Sequence, residues 1–369
     1  MVQEKHNIDN VLYTVTIIMA IFGIVMVYSA SSFNAEINNN DQFYFAKRQA
    51  IWVVVGFCTM NITMFFKYHK LKIFSRFILI ISIILLLLVA IPNIGVVVNG
   101  ARRWLEIGPL RFQPSELAKL SMVIFLAHFL ELKGQKIRRF KEGVLPTLVI
   151  IGLIFGLILV QRDLGTAVII MATGIILLFL AGIKFLHLIP ISITGIGIGI
   201  IAILSKEYRF RRFLSAFDPW EDPLGAGYQA VQSLYALASG GIFGVGLGNS
   251  IQKRLFLPFA HTDFIFSIIA EELGLIGASI VIFGFVIIGI RGMKIARNAP
   301  DKFGFLLASG LTFGILVQAF INILVVTASL PVTGMTLPFI SSGGSSLLIT
   351  MTSIGILLNI SRYSAKSRD

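Results

Sequence analysis

Charge is scarce in this sequence. Asp, Glu, Lys and Arg together make up 13% of its 369 residues, against roughly 25% in soluble domains. That supply cannot clothe the core of a soluble protein of this length, which excludes an ordinary cytosolic globule. Cysteine is nearly absent. Cys58 stands alone inside an apolar run, so neither a disulfide framework nor a thiolate metal cluster is available. Acids are scarcer than bases, 18 against 31, giving a net charge of +13. The cations are scattered between apolar runs with no soluble basic domain to present them, which excludes nucleic acid as a partner. There is no repeat of 20–50 residues and no low-complexity tract.

Long apolar runs are what the sequence has instead. Val11–Ser31, Ile51–Phe66, Phe77–Val98 and Val144–Val160 are almost free of charge. A hydrocarbon layer needs roughly 20 helical residues to cross, and the period-two polarity of barrel strands is missing. The pattern predicts an all-α integral membrane protein with about ten transmembrane helices, at 11–31, 50–66, 74–94, 116–131, 144–160, 165–181, 185–204, 263–290, 303–327 and 343–361. Ser29-Ala30-Ser31 looks like a cleavage site, but its apolar run is too long for a signal peptide and further spans follow. With both termini cytoplasmic, 18 of the 31 basic residues fall inside, as the positive-inside rule asks. Residues 1–369 then form a single transmembrane domain. The 205–262 loop between spans 7 and 8 is extracytoplasmic and the one extramembrane segment large enough for structure of its own. A helix is expected in it around Tyr228–Leu237, followed by the glycine-rich Ser239–Gly248.

The remaining cations lie mostly outside, among them Arg102, Arg103, Arg111, Arg162, Arg211, Arg212, Lys253 and Arg254. Long loops escape the orientation rule, which is one explanation. An anionic ligand held by Arg and Lys at the outer surface is the other.

Ionisable residues within spans are expensive, so each is a functional candidate. They are Glu116 and Lys119 in span 4, and Asp263, Glu271 and Glu272 in span 8, with Asp163 in the turn between spans 5 and 6. Asp263 opens an apolar helix on the outer face, either as a first-turn acid or as a general base. Glu271 lies about 12 Å deeper and roughly 80° round the helix, so Glu271 and Glu272 suit packing or partner contacts better than the same chemistry. Lys119 shares a helix face with Glu116. It either pairs with that residue or faces Asp263 across the bundle and favours its ionised form, or it reaches a ligand phosphate. The run Gly240–Gly248 lacks a βαβ setting and suits close backbone packing or a flexible loop. His261 beside Asp263 is too little for a metal site. Ser341–Ser346 opens span 10 as a helix start or as an anion-binding nest.

Four stretches resemble the SEDS family (shape, elongation, division and sporulation). They are Asn99–Leu105 with Gln113–Lys119, Gln161–Ala167, His261–Phe266 leading into Ala270–Gly274, and Pro331–Ser346. They come in the family's order and cover essentially the whole chain. Residues 218–229 and the ending Leu358–Tyr363 are more similar to the FtsW/SpoVE branch than to RodA. Three positions depart from the family pattern: Arg162 in place of a usual Pro, Phe259 in place of a common acid, and Ser342 in place of a frequent Tyr.

The resemblance implies a peptidoglycan glycosyltransferase in the bacterial cytoplasmic membrane. It would polymerise lipid II at the outer face for cell division, spore cortex or cell shape, beside a class B penicillin-binding protein and other divisome or elongasome membrane proteins. It places the catalytic acid at Asp263. Substrate contacts are then expected from Glu116, Lys119, Arg103, Trp104, Arg211, Arg212, Gln232, His261, Thr262 and Ser345. No protein metal site is expected, and a divalent cation on the diphosphate stays open. A lipid II flippase, or a scaffold for cell-wall synthases, is the rival reading.

Overall fold

The computed structural model describes residues 8–98, 100–108, 110–204 and 207–363. Its helices are α1 (Asn10–Asn39), α2 (Tyr44–Phe65), α3 (Lys70–Ala90), α4 (Pro114–Lys133), α5 (Leu145–Val160), α6 (Leu164–Leu180), α7 (Phe185–Leu204), α8 (Glu207–Phe217), α9 (Tyr228–Gly240), α10 (Ile265–Arg297), α11 (Lys302–Val326) and α12 (Gly344–Ser361). Each of the ten expected segments overlaps a helix, although 74–94 runs past the end of α3 at Ala90. Among the described residues, six helical stretches are long and apolar enough to cross a membrane, namely α1, α3, Phe140–Val160, α10, α11 and α12. Large apolar side chains point outward along them, such as Ile73, Phe77, Ile80 and Ile84 on α3, as expected where lipid replaces water.

Small residues set the packing between helices, because lipid supplies no hydrophobic drive and close backbone approach must do so. A Cβ on Gly355 of α12 would meet the Met60 carbonyl of α2 at 2.3 Å, and one on Gly23 of α1 would meet the Phe339 carbonyl at 2.6 Å.

Three findings depart from the sequence reading. First, residues 95–112 also form structure outside the helices, an antiparallel sheet of β1 (Gly95–Val98), β2 (Ala101–Ile107) and β3 (Leu110–Phe112) in the order β1-β2-β3. Pro92 drives Ile91 out of the helical region, to ψ 131°. The valines that end the apolar run Phe77–Val98 therefore belong to a strand. Second, α10 begins at Ile265, so Asp263 lies in the preceding turn and not in the helix.

Third, α10 breaks at Gly274, where φ is 66° and ψ −165°. The glycine-rich run closes the break. Val245 and Gly246 donate their N–H groups to the carbonyls of Glu271 and Glu272 at 3.0 Å, and Leu275 N–H donates to Gly241 O at 2.9 Å. A Cβ on Gly244 would sit 2.2 Å from the Glu272 carbonyl oxygen. Close backbone packing is the role of this run.

That clasp buries charge. Lys253 Nζ lies 2.6 Å from Glu272 Oε1 and 3.1 Å from Ser29 Oγ, while Ser29 Oγ donates to Glu272 Oε2 at 2.6 Å. Glu271 accepts from Ser250 Oγ at 2.5 Å and from Ile251 N–H at 2.9 Å. Lys253 is thus a buried structural cation and not an outward-facing one, and Ser29 is part of the core.

Candidate active site

The turn that carries Asp263 is held through its backbone carbonyls. Asn322 of α11 donates through Nδ2 to the Asp263 carbonyl at 2.8 Å and to the Met335 carbonyl at 2.7 Å. Ser341 Oγ donates to Thr262 O at 2.5 Å, and Ser342 N–H donates to His261 O at 2.9 Å. The Ser342 contact is a main-chain one, so the departure from Tyr at this position does not disturb it. The Ser341–Ser346 run serves as a clamp and helix start. The His261 ring packs against Phe45 with centroids 4.3 Å apart. Burial pushes His261 down to about 4, so it is neutral near pH 7.

Arg103 reaches the same place from β2. Its Nη1 lies 3.7 Å from Asp163 Oδ1, its Nε donates to Gln161 O at 3.5 Å, and its Nη2 donates to Arg162 O. Asp163 caps α6, accepting from Thr166 N–H at 3.2 Å and Thr166 Oγ1 at 2.9 Å, and it also accepts from Gln113 Nε2 at 3.2 Å. It lies beside Arg103, whose guanidinium is held by the Gln161 and Arg162 carbonyls. Gly334, at φ 71°, is where the two sides meet. A Cβ built there would lie 3.6 Å from Asp263 Oδ2 and 3.9 Å from Arg103 Nη1. A carboxylate and a guanidinium thus flank one glycine, at the bundle end that also holds the sheet.

The other expected site residues divide. Lys119 pairs with Glu116 at 2.9 Å and donates to Gln318 Oε1 at 2.6 Å. Gln318 Nε2 in turn donates to Thr336 O at 3.0 Å, tying Lys119 to the segment that carries Gly334. The cavity beside Glu116, Lys119, Thr173 and Gln318 measures about 40 Å³, room for water but not for a sugar. Ser345 is buried, accepting from Gln113 N–H at 3.1 Å and donating to Arg111 O at 3.2 Å, so it fastens α12 to the sheet. Trp104 lies on β2 opposite Val96, and Gln232 is half-buried on α9. Arg211 pairs within α8 with Glu207 at 2.6 Å, and the Arg212 side chain lies outside the described residues. Arg162 adopts φ 60°, which a proline locked near −65° cannot. Among the described residues, no group of three or more His, Cys, Asp or Glu could hold a metal ion.

Sequence reasoning missed Asn322, Gln113, Gln318 and Gly334. An amide within an apolar helix was the available signal for Gln318 and Asn322, because such groups seek partners across helices.

The family profile described as "Cell cycle protein", covering FtsW, RodA and SpoVE, matches residues 9–366. Stage V sporulation protein E of Bacillus subtilis (strain 168) is 43% identical over 364 residues, 99% of this chain and 100% of its own. The probable peptidoglycan glycosyltransferase FtsW of Geobacter sp. (strain M18) is 40% identical over 353 residues, 96% of each chain. Among solved structures, a chain from a peptidoglycan synthase complex that coordinates polymerization and crosslinking superposes with a TM-score of 0.79 at 28% identity, covering 96% of this chain and 98% of that one. The rod shape determining protein RodA of Thermus thermophilus gives 0.72 at 28% identity over 97% and 98%.

Proposed function

Because the chain belongs to the FtsW, RodA and SpoVE family of cell cycle proteins, we propose that it is a peptidoglycan glycosyltransferase. It polymerises lipid II into glycan strands at the outer face of the bacterial cytoplasmic membrane. It is a multi-pass membrane protein, and in this reading α1–α7 and α10–α12 are its ten spans. Both termini are then cytoplasmic, and the sheet, α8, α9 and the Asp263 turn lie outside.

The observation that carries the reading is the approach of Asp263 and Arg103 to Gly334. Asp263 acts as general base, taking the proton from the acceptor 4-hydroxyl while that oxygen bonds to the donor anomeric carbon. The bond from that carbon to the diphosphate oxygen breaks in the same displacement. The donor is α-linked and the product β-linked, so one inversion suffices without a covalent intermediate. Arg103, its guanidinium held by the Gln161 and Arg162 carbonyls beside Asp163, is the cation that stabilises the departing diphosphate. Its place beside Gly334 together with Asp263 ranks it ahead of Lys119, which is held between Glu116 and Gln318, and of Arg211, which pairs with Glu207. A class B penicillin-binding protein is the expected partner, meeting apolar surfaces of α10 and α11.

A flippase needs polar groups along a path through the midplane and usually carries repeats. Here the candidate chemistry gathers at one end, which favours the enzyme. Purified protein reconstituted with labelled lipid II separates the readings. Glycan polymer supports the enzyme, headgroup translocation without polymer supports the flippase, and neither supports a scaffold.

A further inference from the structure

β2 carries two adjacent arginines where its register with β1 slips by one residue, Trp104 lying opposite Val96 and Arg102 opposite Val97, and a bulge of this kind re-aims side chains. Arg103 goes toward Asp163 and Asp263. Arg102 lines a separate cavity of about 250 Å³ with Ala90, Val97, Gly100, Val160, Gln161 and Arg162. Among the described residues, two groups on residues of this lining have no partner. Arg102 Nε is a buried donor and Gln161 Oε1 a buried acceptor, the latter on a side chain only 3% exposed. Buried polar groups in folded proteins are nearly always paired, and both of these belong to residues that line the cavity.

The charge at this cavity has one sign. Arg102 Nη1 donates to Ala90 O at 3.2 Å and Arg162 Nη1 to Gly100 O at 3.1 Å, which fixes both guanidiniums while leaving further N–H groups on each. Among the described residues neither arginine pairs with a carboxylate. The rest of the cavity is apolar, and its position explains why. Ala90 and Val160 are the last residues of α3 and α5, and Leu87 and Leu153 present exposed apolar surface further along those helices. A cationic cup at the ends of two helices, above apolar surface, fits an amphiphile with an anionic head.

We propose that this cavity binds a lipid-borne phosphate diester with a hydroxylated headgroup. The phosphate oxygens accept from Arg102 Nε and from the remaining N–H groups of Arg102 and Arg162, as planar guanidiniums favour. A headgroup hydroxyl donates to Gln161 Oε1, and the acyl chains run along α3 and α5. The site is distinct from the Asp263 centre and does not rest on the catalytic reading, since its occupancy is measured without turnover.

The test is native mass spectrometry of the full-length protein with dioleoylphosphatidylglycerol, with dioleoylphosphatidylcholine, and with inorganic phosphate as competitor. Phosphatidylglycerol is expected to bind about tenfold or more tightly than phosphatidylcholine, which lacks both net charge and a hydroxyl donor. Arg102→Gln/Arg162→Gln should lose about tenfold or more of that affinity. Arg111→Gln, a charge change in the same hairpin, should lose none. Should the double variant not fold, Arg102→Lys/Arg162→Lys keeps both charges but removes Nε and the planar fork, and it should also bind more weakly. Equal retention by the folded double variant, or equal binding of the two lipids, overturns the proposal. Displacement of the lipid by an equal concentration of inorganic phosphate overturns its lipid part.

Discussion

Asp263 Oδ2 and Arg103 Nη1 stand 3.6 and 3.9 Å from the point where Gly334 would carry a side chain. They come from distant parts of the sequence, and Gly334, itself at φ 71°, places no side chain next to either of them. Arg103→Gln should keep the fold, because Asp163 retains Thr166 and Gln113 as donors. It should lower lipid II polymerisation about 10²-fold or more, as loss of a preorganised transition-state contact does. An initial-rate assay at saturating substrate checks this, and an unchanged rate would remove Arg103 from the site.

Lys119→Met should destabilise the protein by about 3–5 kcal/mol, since it strands Glu116 as a buried carboxylate beside an apolar stem. Glu116→Gln/Lys119→Met should recover most of that loss. Unfolding in detergent micelles measures both variants. A double variant no more stable than the single one would mean that the pair 2.9 Å apart is not what Lys119 contributes.

Lys253→Met should behave similarly through Glu272, with a loss of about 3–5 kcal/mol. The damage should spread further than at Lys119. The pair fastens the glycine-rich loop to α1 and to the break in α10, so residues 241–253 should lose amide protection in hydrogen exchange. Protection confined to its wild-type pattern would argue against the clasp.

His261 gives the protein an acid weakness with a defined window. Burial holds its folded-state pKa at about 4, below the ordinary 6.5. Between those values the unfolded chain binds the proton and the folded chain does not, so stability falls as pH drops from 6.5 toward 4 and is flat above 6.5. His261→Gln should flatten that segment of the stability curve. Thermal unfolding at pH 7, 5.5 and 4.5 reads it directly, and an identical slope in the variant would contradict the assignment.

Helix positions were legible because an apolar run of about 20 residues has few other uses. The sheet was not. Gly95-Val-Val-Val98 is as apolar as the span before it, and the deciding signal is a single proline at position 92. Asp263 could be singled out because carboxylates are rare beside spans. Its neighbours depended on contacts between distant segments, such as Asn322 with the Asp263 carbonyl, and no local pattern carries those. Lys253 misled for the same reason. In sequence it is one more loop cation, and only the approach of Ser29 and Glu272 makes it a core residue.

Lipid II polymerisation by purified Asp263→Asn protein tests the central claim most directly. Asparagine keeps the shape of aspartate and the backbone contact to Asn322, but it cannot take up the acceptor's proton. The variant is expected to insert and fold as the parent does and to lose about 10²–10⁴-fold or more in rate. Glycan strands formed by the folded variant at the parental rate would contradict the account.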